Sequence, residues 1–230
     1  MKNKAVYILC IETANAVTSV SIAENEICLQ TKDILEPNRA ADVLHILIEQ
    51  LLAENNLSFA DLDAVAISAG PGSYTGLRIA TAAAKGYCFA LDIPLIAVST
   101  LIAMVQGIQT RYQQTDFDVF VPMIDARRME VFTAFYAKDL TVLNSFPSLI
   151  IDEQILNLFH TGKKYLLFGN GADKANSILK MENISINSDF VPSSKDLCLT
   201  AFSAYNSKIF EELAYFEPNY TKAFYTTASK

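Results

Sequence analysis

The stretch Ala69-Gly70-Pro71-Gly72-Ser73-Tyr74-Thr75-Gly76-Leu77-Arg78 concentrates residue types that handle anions. Gly70, Gly72 and Gly76 permit close backbone approach, and Pro71 pre-sets a turn. Ser73 or Thr75 can cap the helix that follows. A strand, a glycine loop and a helix N-terminus aim free N–H groups outward, as a phosphate site requires. The spacing is neither a Walker loop, because no Gly-Lys-Ser/Thr follows, nor the dinucleotide fingerprint, because the glycines are one residue out of step. The loop reads equally well as a structural turn and as a phosphate cradle. Glu12-Thr13-Ala14-Asn15 offers a carboxylate and a hydroxyl at a strand end, which would suit Mg²⁺ and phosphate; a polar turn is the simpler reading. Ser73, His45 and an aspartate do not read as a hydrolase triad, since Ser73 is not in G-x-S-x-G and His45 falls within a helix. His45 and His160, the only histidines, are far apart, and Cys10, Cys28, Cys88 and Cys198 form no C-x-x-C. No metal site and no thioredoxin-type pair is predicted.

The elements that must position these groups follow from hydrophobic spacing. Val6–Ile11 is a continuous apolar run, Thr18–Ala23 alternates, and Ile27–Ile34 makes a third strand. From Ala40 to Asn55 the apolar residues Ala40, Val43, Leu44, Leu47, Ile48, Leu51 and Leu52 fall on one helical face. A short helical turn begins at Ser58 with a capping box to Asp61. Asp63–Ser68 is a buried strand, followed by the glycine loop, a helix over Gly76–Leu91 and a strand over Pro94–Val98. A second cycle repeats the layout: helix Ser99–Gln109, strands Val119–Ile124, Glu130–Tyr136 and Thr141–Ser145, helix Asp152–Phe159, strand Lys164–Phe168, helix Ala172–Leu179 and a long helix Cys198–Glu212. The fold class is α/β with mixed sheets, in two duplicated lobes. The expected boundaries are residues 1–100, 101–216, with the last helix free to pack back on the first lobe, and a tail at 217–230.

The 230 residues are 51% hydrophobic and carry a net charge of −7, a composition that makes a sizeable core and excludes wholesale disorder. Only Arg127-Arg128 and Lys163-Lys164 are adjacent basic pairs, so the chain alone is not expected to grip a nucleic-acid backbone strongly. No apolar run reaches the roughly 18–20 residues of a membrane span, and the first run reads as a strand rather than a leader. A cytoplasmic protein is expected. The Gly76–Leu91 helix is apolar nearly all round, and Ile46 lies off the main face of the helix before it. That excess of apolar surface predicts a partner or oligomer interface.

Ile8–Ala14, Ser68–Ile79 and Val98–Leu101 together resemble the bacterial tRNA threonylcarbamoyladenosine biosynthesis family TsaB (YeaZ). Asp125-Ala126-Arg127 with Glu130-Val131-Phe132, Gly169–Ala172 and Glu217-Pro218-x-Tyr220 fit further motifs of the family, so the resemblance runs from about residue 5 to 221. It implies an actin-like ATPase (ASKHA) fold of two ribonuclease H-like lobes. It also implies a non-catalytic subunit that supports the catalytic paralogue TsaD, which modifies adenosine 37 of tRNA, with the ATPase TsaE as third member. The chain would be a homodimer when alone and would reach tRNA only through the complex. The alternative is an independent nucleotide hydrolase or peptidase of the same fold. The family's contacts, carried onto the two first-lobe helices, point to Val43, Leu47, Leu77, Arg78, Ala80, Thr81, Ala84 and Tyr87 as the interface. Arginine at Ala80 or Ala84 is then expected to split the complex. Thr13, Gly70, Gly72, Ser73 and Gly76 are the candidate phosphate residues; no cofactor is required, and weak ATP or ADP binding is expected mainly in the complex. The sequence departs from the family at Arg39 or Asn38 (usually His), at Glu12 (usually Asp) and at Thr221-Lys222 (usually Leu-Arg).

Overall fold

The computed structural model describes residues 5–111 and 116–221. Among these described residues ten strands form two five-stranded sheets. In the first, β1 (Tyr7–Glu12), β2 (Thr18–Glu24) and β3 (Ile27–Ile34) make an antiparallel meander, and β4 (Ala64–Ser68) and β5 (Leu95–Val98) add in parallel beside β1, giving the order β3-β2-β1-β4-β5. The second repeats this order as β8-β7-β6-β9-β10, from β6 (Val119–Asp125), β7 (Glu130–Ala137), β8 (Val142–Ile150), β9 (Tyr165–Phe168) and β10 (Ile184–Asn187). The duplication expected from the sequence is therefore present in strand order and in strand direction.

The unbroken apolar runs at β1 and β4 have a plain cause: both strands are central and covered on both faces. Leu9, Ile11, Val65 and Ile67 face α1 (Ala40–Glu54) and α2 (Tyr74–Leu91), while Ile8, Cys10, Ala64 and Ala66 face α4 (Cys198–Asn206). α3 (Thr100–Arg111) joins the second sheet, packing Leu101, Met104, Val105 and Ile108 on Phe120, Ile124 and Phe168. α4, late in the chain, thus returns to the first sheet.

Four expectations need correction. The helix expected over Cys198–Glu212 stops at Asn206; the chain turns through Lys208 in the left-handed region, and Glu211 pairs with Leu95 at the edge of β5. Asp152–Phe159 and Ala172–Leu179 are not α-helices but contain 3₁₀ turns at Glu153–Leu158 and Ala172–Ala175. β8 runs five residues past Ser145 to Ile150, and β10 was not anticipated at all. Lys222 and the rest of the expected tail to 230 lie outside the described residues. Among the described residues no helix is long and apolar enough to cross a membrane.

Candidate functional site

The glycine loop joins β4 to α2, and the β1–β2 turn sits directly on it. A Cβ at Gly72 would overlap the Ala14 carbonyl, and one at Gly76 would overlap the Thr13 carbonyl. Thr13 Oγ1 donates to the Gly76 carbonyl at 2.8 Å, and the Ser73 N–H donates to the Ala14 carbonyl at 2.7 Å. Gly76 N–H is taken by the Ser73 hydroxyl at 3.3 Å, the N-cap bond foreseen from the sequence, and Gly70 N–H by Thr100 Oγ1 at 3.1 Å. Gly70 adopts φ +104 where Asn219 crosses it, and Asn219 N–H donates to the Ala69 carbonyl at 2.7 Å. The candidate phosphate residues are thus brought together; Thr13, Ala14 and Asn219 pack against the Cβ side of Gly76, Gly72 and Gly70, and the N–H groups of Gly70, Ser73 and Gly76 are bonded inside the chain. Alanine at Gly76 is expected to destabilise by about 2–3 kcal/mol through overpacking against backbone that cannot swing aside, readable as a lowered urea midpoint.

Glu12 ends β1 beside this loop and is 1% exposed. Its Oε1 accepts the Ala14 N–H at 2.6 Å, and the Ser68 hydroxyl donates to Oε2. Burial pushes its carboxyl up to about 7 against these hydrogen bonds, with the Asp196 charge adding to the rise. Among the described residues no group of three or more His, Cys, Asp or Glu side chains is placed to hold a metal ion. Asp125 and Arg127 of the β6–β7 hairpin are engaged in local bonds: Asp125 accepts from Arg127 N–H at 2.6 Å and pairs with Lys174, and Arg127 and Arg128 both take left-handed backbone conformations.

The helix face tells a different story from the residues predicted for it. Leu47, Leu77, Ala80, Thr81 and Ala84 are buried within the chain, Leu47, Ala80 and Ala84 of them in the first-sheet core, so they present no free surface to a partner. Val43 is half-buried against the same core. Tyr87 is half-buried, stacked on Phe59 at 5.2 Å and hydrogen-bonded at 2.6 Å to His45 Nδ1, a tie that sets α1 and α2 side by side at the surface. Arg78 alone of the eight is exposed, its guanidinium 5.0 Å over the Tyr74 ring, which in turn rests on Tyr220 at 4.9 Å. The physical reason is phase: α2 buries positions 77, 80, 81, 84 and 88, one stripe at 3.6-residue spacing. The opposite stripe is Arg78, Ala82, Gly86 and Phe89, and it is exposed. Phe89 is 81% exposed and Ile46 on α1 is 53% exposed. Ala82, Gly86 and Phe89 were not singled out in the sequence, whereas Ile46, the apolar residue off the main face of α1, was. Arg39, where the family usually has His, sits at the N-cap of α1 and pairs with Glu36 at 2.7 Å and Asp42 at 3.4 Å.

A family model described as TsaD: tRNA N6-adenosine threonylcarbamoyltransferase matches residues 38–223, most of the chain. A tRNA threonylcarbamoyladenosine biosynthesis protein TsaB from Buchnera aphidicola (subspecies Acyrthosiphon pisum) is 28% identical over 197 residues, covering 83% of this chain and 86% of that protein. The chain belongs to this family, in its TsaB/YeaZ branch. YeaZ from Pseudomonas aeruginosa superposes with a TM-score of 0.78 at 24% identity, covering 94% of this chain and 99% of that one. The activator of 2-hydroxyisocaproyl-CoA dehydratase from Clostridium difficile, solved with ADPNP, superposes with a TM-score of 0.53 at 10% identity, over 90% and 99%. The fold is the actin-like ATPase fold, as the duplicated sheet order implies.

Proposed function

We propose that this chain is a non-catalytic subunit of the machinery that makes N6-threonylcarbamoyladenosine in tRNA, and that it acts in the cytoplasm by binding the catalytic paralogue TsaD. The observation that carries the reading is the exposed stripe Ala82, Gly86 and Phe89 on α2, with Ile46 exposed on α1. A glycine inside a helix costs about 1 kcal/mol relative to alanine, and a Cβ at Gly86 would meet nothing of this chain within 4 Å. Nothing among the described residues accounts for that cost, whereas a partner helix crossing closely there does. A phenylalanine left in water beside it supplies apolar area for the same contact.

The stripe replaces the buried residues as the docking face, with Arg78 on its rim. In this reading a second copy covers the stripe when the chain is alone, TsaD displaces it, and TsaE joins the pair. The net charge of −7 fits a subunit that meets tRNA only through the complex. The filled glycine loop supports a chain that requires no cofactor, and weak ATP or ADP binding is assigned to the assembled complex rather than to this loop.

Reconstitution tests the reading. TsaD, TsaE, the threonylcarbamoyl donor and unmodified tRNA are incubated with and without this chain, and modified adenosine is measured. Product is expected only when the chain is present, and Ala82→Arg is expected to lower its yield at least tenfold. Equal product without the chain, or steady ATP turnover by the chain alone, would support the independent hydrolase instead.

A further inference from the structure

The two adjacent basic pairs of this acidic chain are treated differently by the fold. Lys163-Lys164 precedes β9, and Lys164 is paired with Asp116. Arg127-Arg128 lies in the β6–β7 turn, and both residues are exposed. Among the described residues neither guanidinium has an ion-pair or hydrogen-bond partner. Their backbone is unusual as well. Arg127 and Arg128 have φ +68 and +50, and nowhere else among the described residues do two left-handed residues follow one another. That conformation penalises a residue with a Cβ, and asparagine, aspartate and glycine tolerate it best. Four of the other six non-glycine residues that adopt it are Asn or Asp. This turn holds two arginines against that preference, and such strain collects at ligand clamps.

The base of the turn is braced. Ala126 N–H donates to the Glu130 carbonyl at 3.1 Å, Glu130 N–H to the Arg127 carbonyl at 3.3 Å, and Ile151 N–H to the Met129 carbonyl at 2.7 Å. Asp125 N–H donates to Asn170 Oδ1 at 2.9 Å, and the Asp125 carboxylate is already paired with Lys174. Glu130 takes the Ser148 hydroxyl at 2.5 Å. A rigid hairpin thus presents two cations whose nearest carboxylates are engaged elsewhere.

We propose that the Arg127-Arg128 tip grips the phosphodiester backbone of tRNA when the chain sits in its complex. The inference rests on the proposed function, which brings RNA to the assembly. Guanidinium forks match phosphate oxygens, and contacts of this kind position a nucleic acid without reading its sequence. Only Met129 at the tip is apolar and exposed, which is little for the desolvated centre of a protein interface. Two phosphate contacts add to a complex without letting the acidic chain hold RNA firmly by itself.

The test is retention of labelled tRNA on filters, by the chain alone at about 50 mM salt and by the chain with TsaD from about 50 to 200 mM salt. Arg127→Gln/Arg128→Gln is expected to weaken binding roughly tenfold in both arms and to reduce the salt slope by about 2, equally for tRNAs of different sequence. Arg127→Lys/Arg128→Lys is expected to keep the slope. Arg127→Asn/Arg128→Gly, which suits the turn, is expected to raise the Tm by roughly 2–4 °C and to bind tRNA as weakly as the glutamine variant. The proposal is overturned if the parent retains no tRNA, or if parent and glutamine variant share one affinity and slope. It is equally overturned if the glutamine variant loses TsaD or TsaE in the absence of RNA, the sign of an acidic protein face. A parent that does not associate with TsaD contradicts the proposed function instead, and the chain-alone arm then decides on the tip.

Discussion

Ala80→Arg and Ala84→Arg are expected to leave the chain unfolded at 25 °C, while Ala82→Arg on the same helix moves the Tm by no more than about 3 °C. Ala80 and Ala84 are 0% exposed and packed with Leu44, Leu47, Val65 and Ile67 in the first-sheet core. An arginine there must either overpack the core or bury its charge without a partner. Each penalty is several kcal/mol, against a total stability of about 5–15 kcal/mol. Ala82 faces solvent, and arginine is as good a helix former as most. Circular dichroism melts of the three variants decide the matter. A folded Ala80→Arg chain with near-parental Tm would show that α2 presents the opposite face to the sheet, and would return Ala80 and Ala84 to the interface.

Stability is expected to fall as pH rises from 5 to 8, and Glu12→Gln is expected to remove most of that fall. The Glu12 carboxyl titrates at about 7 in the folded chain against an ordinary value of 4.5. The folded state therefore holds this proton more tightly than the unfolded one. Its contribution is fully present below about pH 4.5 and is lost as pH passes 7, where ionisation must occur in a site buried from solvent. The loss is on the order of 3 kcal/mol between those limits. Glutamine keeps the acceptor for the Ala14 N–H and turns its amide toward Ser68, without a charge to bury. Urea midpoints at pH 5 and pH 8 measure the difference. If the parent and Glu12→Gln lose the same stability over that range, Glu12 is already ionised in the folded chain at pH 5.

Much of the architecture was legible because it is written in local spacing. The unbroken runs at Tyr7–Glu12 and Ala64–Ser68 can only be strands covered on both faces, and the amphipathic stripe of Ala40–Glu54 fixes a surface helix. α2 was legible as a helix but not in phase. With apolar or small residues nearly all round, nothing local distinguishes the stripe of Ala80 and Ala84 from that of Ala82 and Gly86. The choice is made by the seating of Gly76 on Thr13, a contact across 63 residues. The same contact changes the meaning of the glycine loop. Its composition suits both phosphate and close packing, and only the fold shows that the β1–β2 turn occupies it. At the far end of α4, Ile209 and Phe210 continue the apolar pattern yet are 65% and 41% exposed, so periodicity overran a helix that the Lys208 turn had ended. β10 was missed because four residues, Ile184–Asn187, acquire their identity from parallel pairing with β9 rather than from any run of their own.

The central claim is that the exposed stripe of α2 binds TsaD, and light scattering after size exclusion tests it most directly. The chain is run alone and mixed with TsaD from the same organism, as the parent and as Gly86→Arg. The account predicts a homodimer that converts to a complex with TsaD, and a Gly86→Arg chain that stays folded and monomeric and ignores TsaD. A parent that never associates with TsaD, or a Gly86→Arg chain that associates as well as the parent, would contradict it.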